Sequence, residues 1–188
     1  MSKQELQLLA NANNSHLLVI DVQTRLTQVM SDRKSLLQNC EILIHAAKLL
    51  EIPITVTEQY PKGIGTTEPQ LSNALASHYL PVEKTCFSSC ASDEFSLRIN
   101  QDGKPQMILC GIESHICVLQ TTMDLLQTGK QVFVVADAVD SRSKDNKKLA
   151  LDRMQQAGAI ITNTESIVFE WLKDAKHAQF KAISALIR

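Results

Sequence analysis

Six short apolar runs rich in β-branched residues, at 16–22, 54–57, 81–84, 107–111, 132–137 and 160–162, alternate along this chain with longer segments of helical period. A strand that reads as a nearly continuous apolar run is covered on both faces, and alternation with helices is the pattern of a parallel sheet joined by helical crossovers. Right-handed crossovers then give a three-layer α/β/α sandwich on a six-stranded, doubly wound, Rossmann-like parallel sheet of order 3-2-1-4-5-6. The stretch at 34–50 carries the strongest helical signal, with Leu36, Leu37, Ile42, Leu43, Ala46, Ala47 and Leu50 on one wide stripe. A Pro/Gly-rich loop at 58–67 leads to a helix ending near Ser77. Further helices are expected at 115–127 with Gly129 as a left-handed cap, from the 141–145 cap region through Gln156 to Gly158, and at 165–173 and 177–187.

The bulk numbers narrow what such a sheet would serve. At 188 residues with 44% hydrophobic content, the chain suits a single domain spanning 1–188, with 1–14 as a short N-terminal cap segment lacking the basic and continuous apolar regions of a leader. Lys and Arg total 19 against 20 Asp and Glu, in no long blocks, so neither nucleic acid nor an anionic membrane is indicated as a partner. No window approaches the roughly 20 apolar residues of a membrane span. The expected partner is a small-molecule substrate. Five cysteines, without disulfide-framework or zinc-finger spacing, point to a reducing cytoplasm.

In a doubly wound sheet, ligands sit beyond the carboxyl ends of the strands, near the point where strand order reverses. That rule selects Asp21, residues 57–60, Lys84, residues 111–117 and residues 137–140. The string Met107-Ile-Leu-Cys-Gly-Ile-Glu-Ser-His-Ile-Cys117 runs from a buried strand through a glycine into a helix. Unpaired N–H groups and the positive dipole end of that first turn favour thiolate over thiol, so Cys117 is the candidate nucleophile. Asp21 would take the thiol proton and return one to the leaving group, while Lys84 would favour both anions. Backbone around Ile112, Glu113 and the residues up to Cys117 would hold an oxyanion. Gln23, Tyr60 and Phe87 are weaker pocket candidates. Cys40, Cys86, Cys90 and Cys110 read as structural, and the first strand leads into Asp21-Val-Gln-Thr in place of a GxGxxG phosphate cradle.

The strings Leu18-Val-Ile-Asp21-Val-Gln23, Val82-Glu-Lys84-Thr-Cys-Phe87 and Gly111-Ile-Glu-Ser-His-Ile-Cys117 carry a likeness. In these, over about residues 16–187, the chain resembles the isochorismatase-like cysteine hydrolases, a superfamily that includes nicotinamidases and N-carbamoylsarcosine amidohydrolase. Thr57-Glu-Gln-Tyr-Pro-Lys-Gly-Ile-Gly65 is similar to the isochorismatase domain-containing subgroup of animals and its bacterial relatives. The resemblance implies an Asp-Lys-Cys triad at Asp21, Lys84 and Cys117, a non-proline cis peptide at Ile112–Glu113, and a homo-oligomer, dimer or larger. It implies no cofactor. Metal-dependent nicotinamidases carry Asp-x-His where this chain reads Thr57-Glu-Gln-Tyr60, so no metal site is expected, with His78 and His115 as loose candidates. The expected activity is hydrolysis of an amide or related C–N bond in a small molecule. The alternatives are a non-enzymatic interaction protein on the same fold, or a redox-sensing thiol protein.

Overall fold

The computed structural model describes residues 8–187, so the first half of the expected cap segment lies outside the described residues. Its second half contains a single 3-10 turn, Ala12–Asn14, capped by the Asn11 side chain. The strands are β1 (Ser15–Ile20), β2 (Ile54–Gln59), β3 (Val82–Lys84), β4 (Gln106–Ile112), β5 (Gln131–Asp140) and β6 (Ile160–Thr162). Among the described residues they form one six-stranded parallel sheet in the expected order, β3-β2-β1-β4-β5-β6. Around it lie α1 (Thr24–Thr27), α2 (Arg33–Leu49), α3 (Pro61–Ile64), α4 (Pro69–Leu75), α5 (Asp93–Gln101), α6 (Leu119–Gln127), α7 (Lys144–Gln156), α8 (Thr164–Leu172) and α9 (Phe180–Ser184).

Strand alternation divides the interior into two cores. Leu17, Val19, Ile108, Cys110, Phe133 and Val135 face α2, α4, α8 and α9, whereas Leu18, Ile20, Met107, Leu109, Val132 and Val134 face α5, α6 and α7. Every residue of β1 and β4 is buried, which explains why both strands read as continuous apolar runs.

Several elements differ from the sequence reading, among them α5, β5 and α9. Helix α5 carries only two buried side chains, Phe95 and Ile99, too narrow a stripe to announce itself, and it is set by the Ser92 N-cap. Strand β5 runs on to Asp140 because its register with β4 shifts between Leu109 and Gly111, which inserts extra residues and extends the strand past 137. The stretch at 177–187 keeps only α9, with Ile183 its one buried residue.

Gly111 is required by contact. It sits at φ 121°, and a Cβ there would fall 2.0 Å from the Ile20 carbonyl oxygen of the neighbouring strand. Gly111→Ala is expected to lower unfolding free energy by about 3 kcal/mol or more, from combined backbone strain and overpacking, measured by urea denaturation.

At the opposite end of β1, His16 is 2% exposed. Its Nε2 shares a 2.9 Å hydrogen bond with Thr55 Oγ1, while Nδ1 lies 3.6 Å from Asp102 Oδ2 without a hydrogen-bond partner. Burial lowers its pKa from 6.5 to about 4, with Asp102 acting weakly the other way. The unfolded chain therefore takes up a proton that the folded chain refuses between those values. Stability should fall by about 3 kcal/mol as pH drops from 6.5 to 4, and His16→Gln should flatten that slope in pH-dependent urea melts.

Candidate active site

Strand β1 ends at Ile20, and the next residue turns sharply: Asp21 has φ 51°, a left-handed conformation that aspartate tolerates better than most residues. The turn is fixed by Asp21 N–H donating to the Thr57 carbonyl at 3.2 Å and Gln23 N–H donating to the Asp21 carbonyl at 2.8 Å. Its wholly buried carboxylate accepts from Thr57 Oγ1 at 2.6 Å through Oδ1 and from Lys84 Nζ at 2.7 Å through Oδ2. Lys84 closes the three-residue strand β3, and its side chain is equally buried. Besides Asp21, the ammonium donates to Gln59 Oε1 at 2.8 Å and reaches the carbonyls of Cys86 and Phe87 at 3.2 and 3.3 Å.

Cys117 enters from β4. The peptide bond Ile112–Glu113 is cis, and the chain then makes a π-helical turn, Ser114–Val118, before settling into α6. The sequence pattern indicated a plain α-helix from 115, whereas here the Glu113 carbonyl accepts from both Ile116 N–H at 3.0 Å and Val118 N–H at 3.2 Å. Such single π turns are frequent at functional sites. Cys117 is 7% exposed, and its thiol lies near enough to Asp21 and Lys84 for both charges to act on it.

The electrostatics correct one expectation. Burial pushes the Cys117 thiol up to about 12, the negative charge of Asp21 adds to the rise, and Lys84 opposes it without prevailing. At rest the sulfur is therefore a neutral thiol. Desolvation and the nearby carboxylates outweigh the lysine, which had suggested a standing thiolate.

Asp21, Lys84 and Cys117 thus come together, and the weaker candidates disperse. Gln23 is fully buried with its amide committed to backbone: it donates to the carbonyls of Gln59 (3.0 Å) and Gly65 (2.6 Å) and accepts from Gln59 N–H (2.7 Å). Ile112 points into the core on the α2 side. Glu113, 4% exposed, is clasped by Arg142 through Nε, a 2.6 Å contact from the terminal guanidinium nitrogen, and the backbone N–H. Burial would raise its pKa, but the Arg142 hydrogen bonds and charge outweigh that and hold the carboxyl below its usual range. Tyr60, half exposed at φ 38°, lines a cavity of about 440 Å³ with Pro61, Lys62, Glu83, Lys84, Thr85 and Cys86. Asp21 and Cys117 stand behind its Lys84 wall and do not line it. Phe87 is 55% exposed and contributes its carbonyl to Lys84.

Cys40 and Cys110 are buried, their thiols donating to the carbonyls of Ala138 at 3.5 Å and Leu18 at 3.6 Å, and burial raises Cys90 to about 12. His115 pairs with Ser141 Oγ at 3.0 Å, and His78 lies in the 3-10 turn after α4. Among the described residues, no three His, Cys, Asp or Glu side chains gather in metal-binding geometry. Thr57 and Gln59 were on the list of strand ends without being singled out. Their i, i+2 spacing on the strand between β1 and β3 was the available signal.

The isochorismatase domain matches residues 15–166. Isochorismatase domain-containing protein 2 of Pongo abelii is 44% identical over 149 residues, covering 78% of this chain and 69% of that protein. The structure of MAR1 ribonuclease from Caenorhabditis elegans superposes with a TM-score of 0.89 at 41% identity, over 95% of this chain and 92% of that one. The Escherichia coli YcaC gene product, described as an octameric hydrolase of unknown specificity, shares the fold with a TM-score of 0.90 at 22% identity, over 98% and 91% of the two chains.

Removing one partner of a buried ion pair leaves an uncompensated charge. Lys84→Met should cost about 3–5 kcal/mol in urea denaturation, and the double variant with Asp21→Asn should recover part of it.

Proposed function

The chain belongs to the isochorismatase family, and from that premise we propose that it hydrolyses an amide or related C–N bond of a small molecule through Asp21, Lys84 and Cys117. The observation that carries this reading is the wholly buried Asp21–Lys84 pair beside a thiol that is neutral at rest. A thiol held near 12 is a poor nucleophile by itself, so proton transfer to Asp21 has to accompany attack.

In the proposed cycle, the Cys117 sulfur forms a bond to the substrate carbonyl carbon as its proton passes to Asp21. The tetrahedral oxyanion rests on backbone N–H groups of the turn preceding Cys117; the Ile116 N–H is already given to Glu113. Protonated Asp21 returns its proton to the leaving nitrogen, the C–N bond breaks, and an acyl thioester remains. Water then attacks that carbon, yielding a proton to Asp21. The C–S bond breaks, the acid product departs, and the sulfur recovers the proton. Lys84 stays paired with Asp21 between these steps and offsets negative charge on sulfur.

The raised thiol pKa weighs against a redox-sensor role, because the thiolate is the species that oxidises. The name of the C. elegans relative makes RNA a second substrate class to be tested. With 19 basic against 20 acidic residues, this chain lacks the excess charge that tracks a phosphate backbone.

The full chain should be incubated with a panel of small amides, ureido and carbamoyl compounds and with oligoribonucleotides, following turnover and intact mass. An acyl adduct on Cys117 is expected with at least one C–N substrate, and Cys117→Ala should lower that turnover by about 10³-fold or more. Cleavage confined to RNA, or neither adduct nor turnover across the panel, would sink the proposal.

A further inference from the structure

The Asp21–Lys84 ion pair joins β1 to β3, which are not neighbours, because β2 runs between them. The side chains that β2 presents on that face therefore form the floor of the pair. Side chains alternate along a strand, so residues 57 and 59 share the face while Glu58 points away. Accordingly Glu58 accepts from Thr67 N–H at 2.7 Å, Thr67 Oγ1 at 2.8 Å and Tyr79 OH at 2.6 Å. Thr57 registers with Ile20, the residue before Asp21, and Gln59 registers with Lys84 itself. One member of the floor meets the anion and the other the cation.

Thr57 is fully buried, and its hydroxyl donates to Asp21 Oδ1 at 2.6 Å. Valine would suit a buried strand position equally well by shape and propensity, so what Thr57 adds there is its hydroxyl and the bond it gives the Asp21 carboxylate. Lys84 has its own acceptor in Gln59 Oε1 and lies on Oδ2, leaving Oδ1 to Thr57 alone of these two donors. Resting on the reading that Asp21 takes the Cys117 proton, we propose that Thr57 is the positioning residue of that base. Its hydroxyl ties Oδ1 while Lys84 ties Oδ2, which holds the carboxylate in one orientation toward the sulfur. A carboxylate that loses such a donor becomes more basic and freer to rotate.

The test is the pH dependence of Cys117 alkylation by iodoacetamide in the full chain, read by peptide mass mapping from pH 4 to 9. Wild-type protein should lose reactivity on the acid side, and Asp21→Asn should remove that limb. Thr57→Val should move the limb upward by about one pH unit, and Thr57→Ser, which restores the hydroxyl, should return it. A merely structural role would alter the melting temperature of Thr57→Val without moving the limb. If Thr57→Val does not fold, Thr57→Ala is read in its place against the same serine control. A valine profile that superposes on wild type, while Asp21→Asn still removes the limb, overturns the positioning role and leaves Asp21 as base. An unchanged limb in Asp21→Asn overturns both.

Discussion

An ammonium and a carboxylate held 2.7 Å apart with no access to water are the constraint around which this sheet is arranged. Desolvating two such ions costs several kcal/mol each, and their attraction offsets this only where the remaining donors and acceptors are satisfied. That explains why so many groups converge on them. Thr57 serves one oxygen of Asp21, and Gln59 with the carbonyls of Cys86 and Phe87 serves Lys84. Gln23 in turn secures Gln59 by its backbone. The turn after β1, the end of β2 and the loop after β3 are thus tied by polar bonds before any substrate is considered.

The same burial sets the state of the nucleophile. Withdrawal from water raises the thiol further than the lysine can lower it, so the sulfur keeps its proton. In the proposed mechanism its reactivity is conditional on a partner that takes the proton at the moment of attack. A thiol governed in this way is protected from adventitious oxidants, in contrast with the exposed low-pKa cysteines of redox sensors. Glu113 adds a further negative group close by, but Arg142 occupies its oxygens from the β5 side and keeps it there.

The strand order and the positions of Asp21, Lys84 and Cys117 were legible because each depends on a local signal: an apolar run, and a polar residue immediately beyond it. Gly111 and Cys117 were legible as a strand-to-helix junction. What escaped was set by packing across distance. The neutral state of Cys117 follows from how many atoms surround it, which no spacing encodes. The extension of β5 to Asp140 follows from a register shift against β4, and the π turn from two N–H groups sharing the Glu113 carbonyl. The role of Gln23 was open for a related reason: an amide beside a catalytic-looking aspartate reads alike whether it faces a ligand or its own backbone.

Gly111 leaves no room for a side chain against Ile20, and this limits how such a site diversifies. The strand that leads to Cys117 is held against its neighbour at Gly111, so variation there is closed off. The cavity beside Lys84, by contrast, is walled by Tyr60, Pro61 and Lys62 on one side and by Thr85, Cys86, Ala91 and Ser92 on the other, all outside the strands. Those two loops can accept substitutions that reshape the cavity without touching the sheet that fixes Asp21, Lys84 and Cys117.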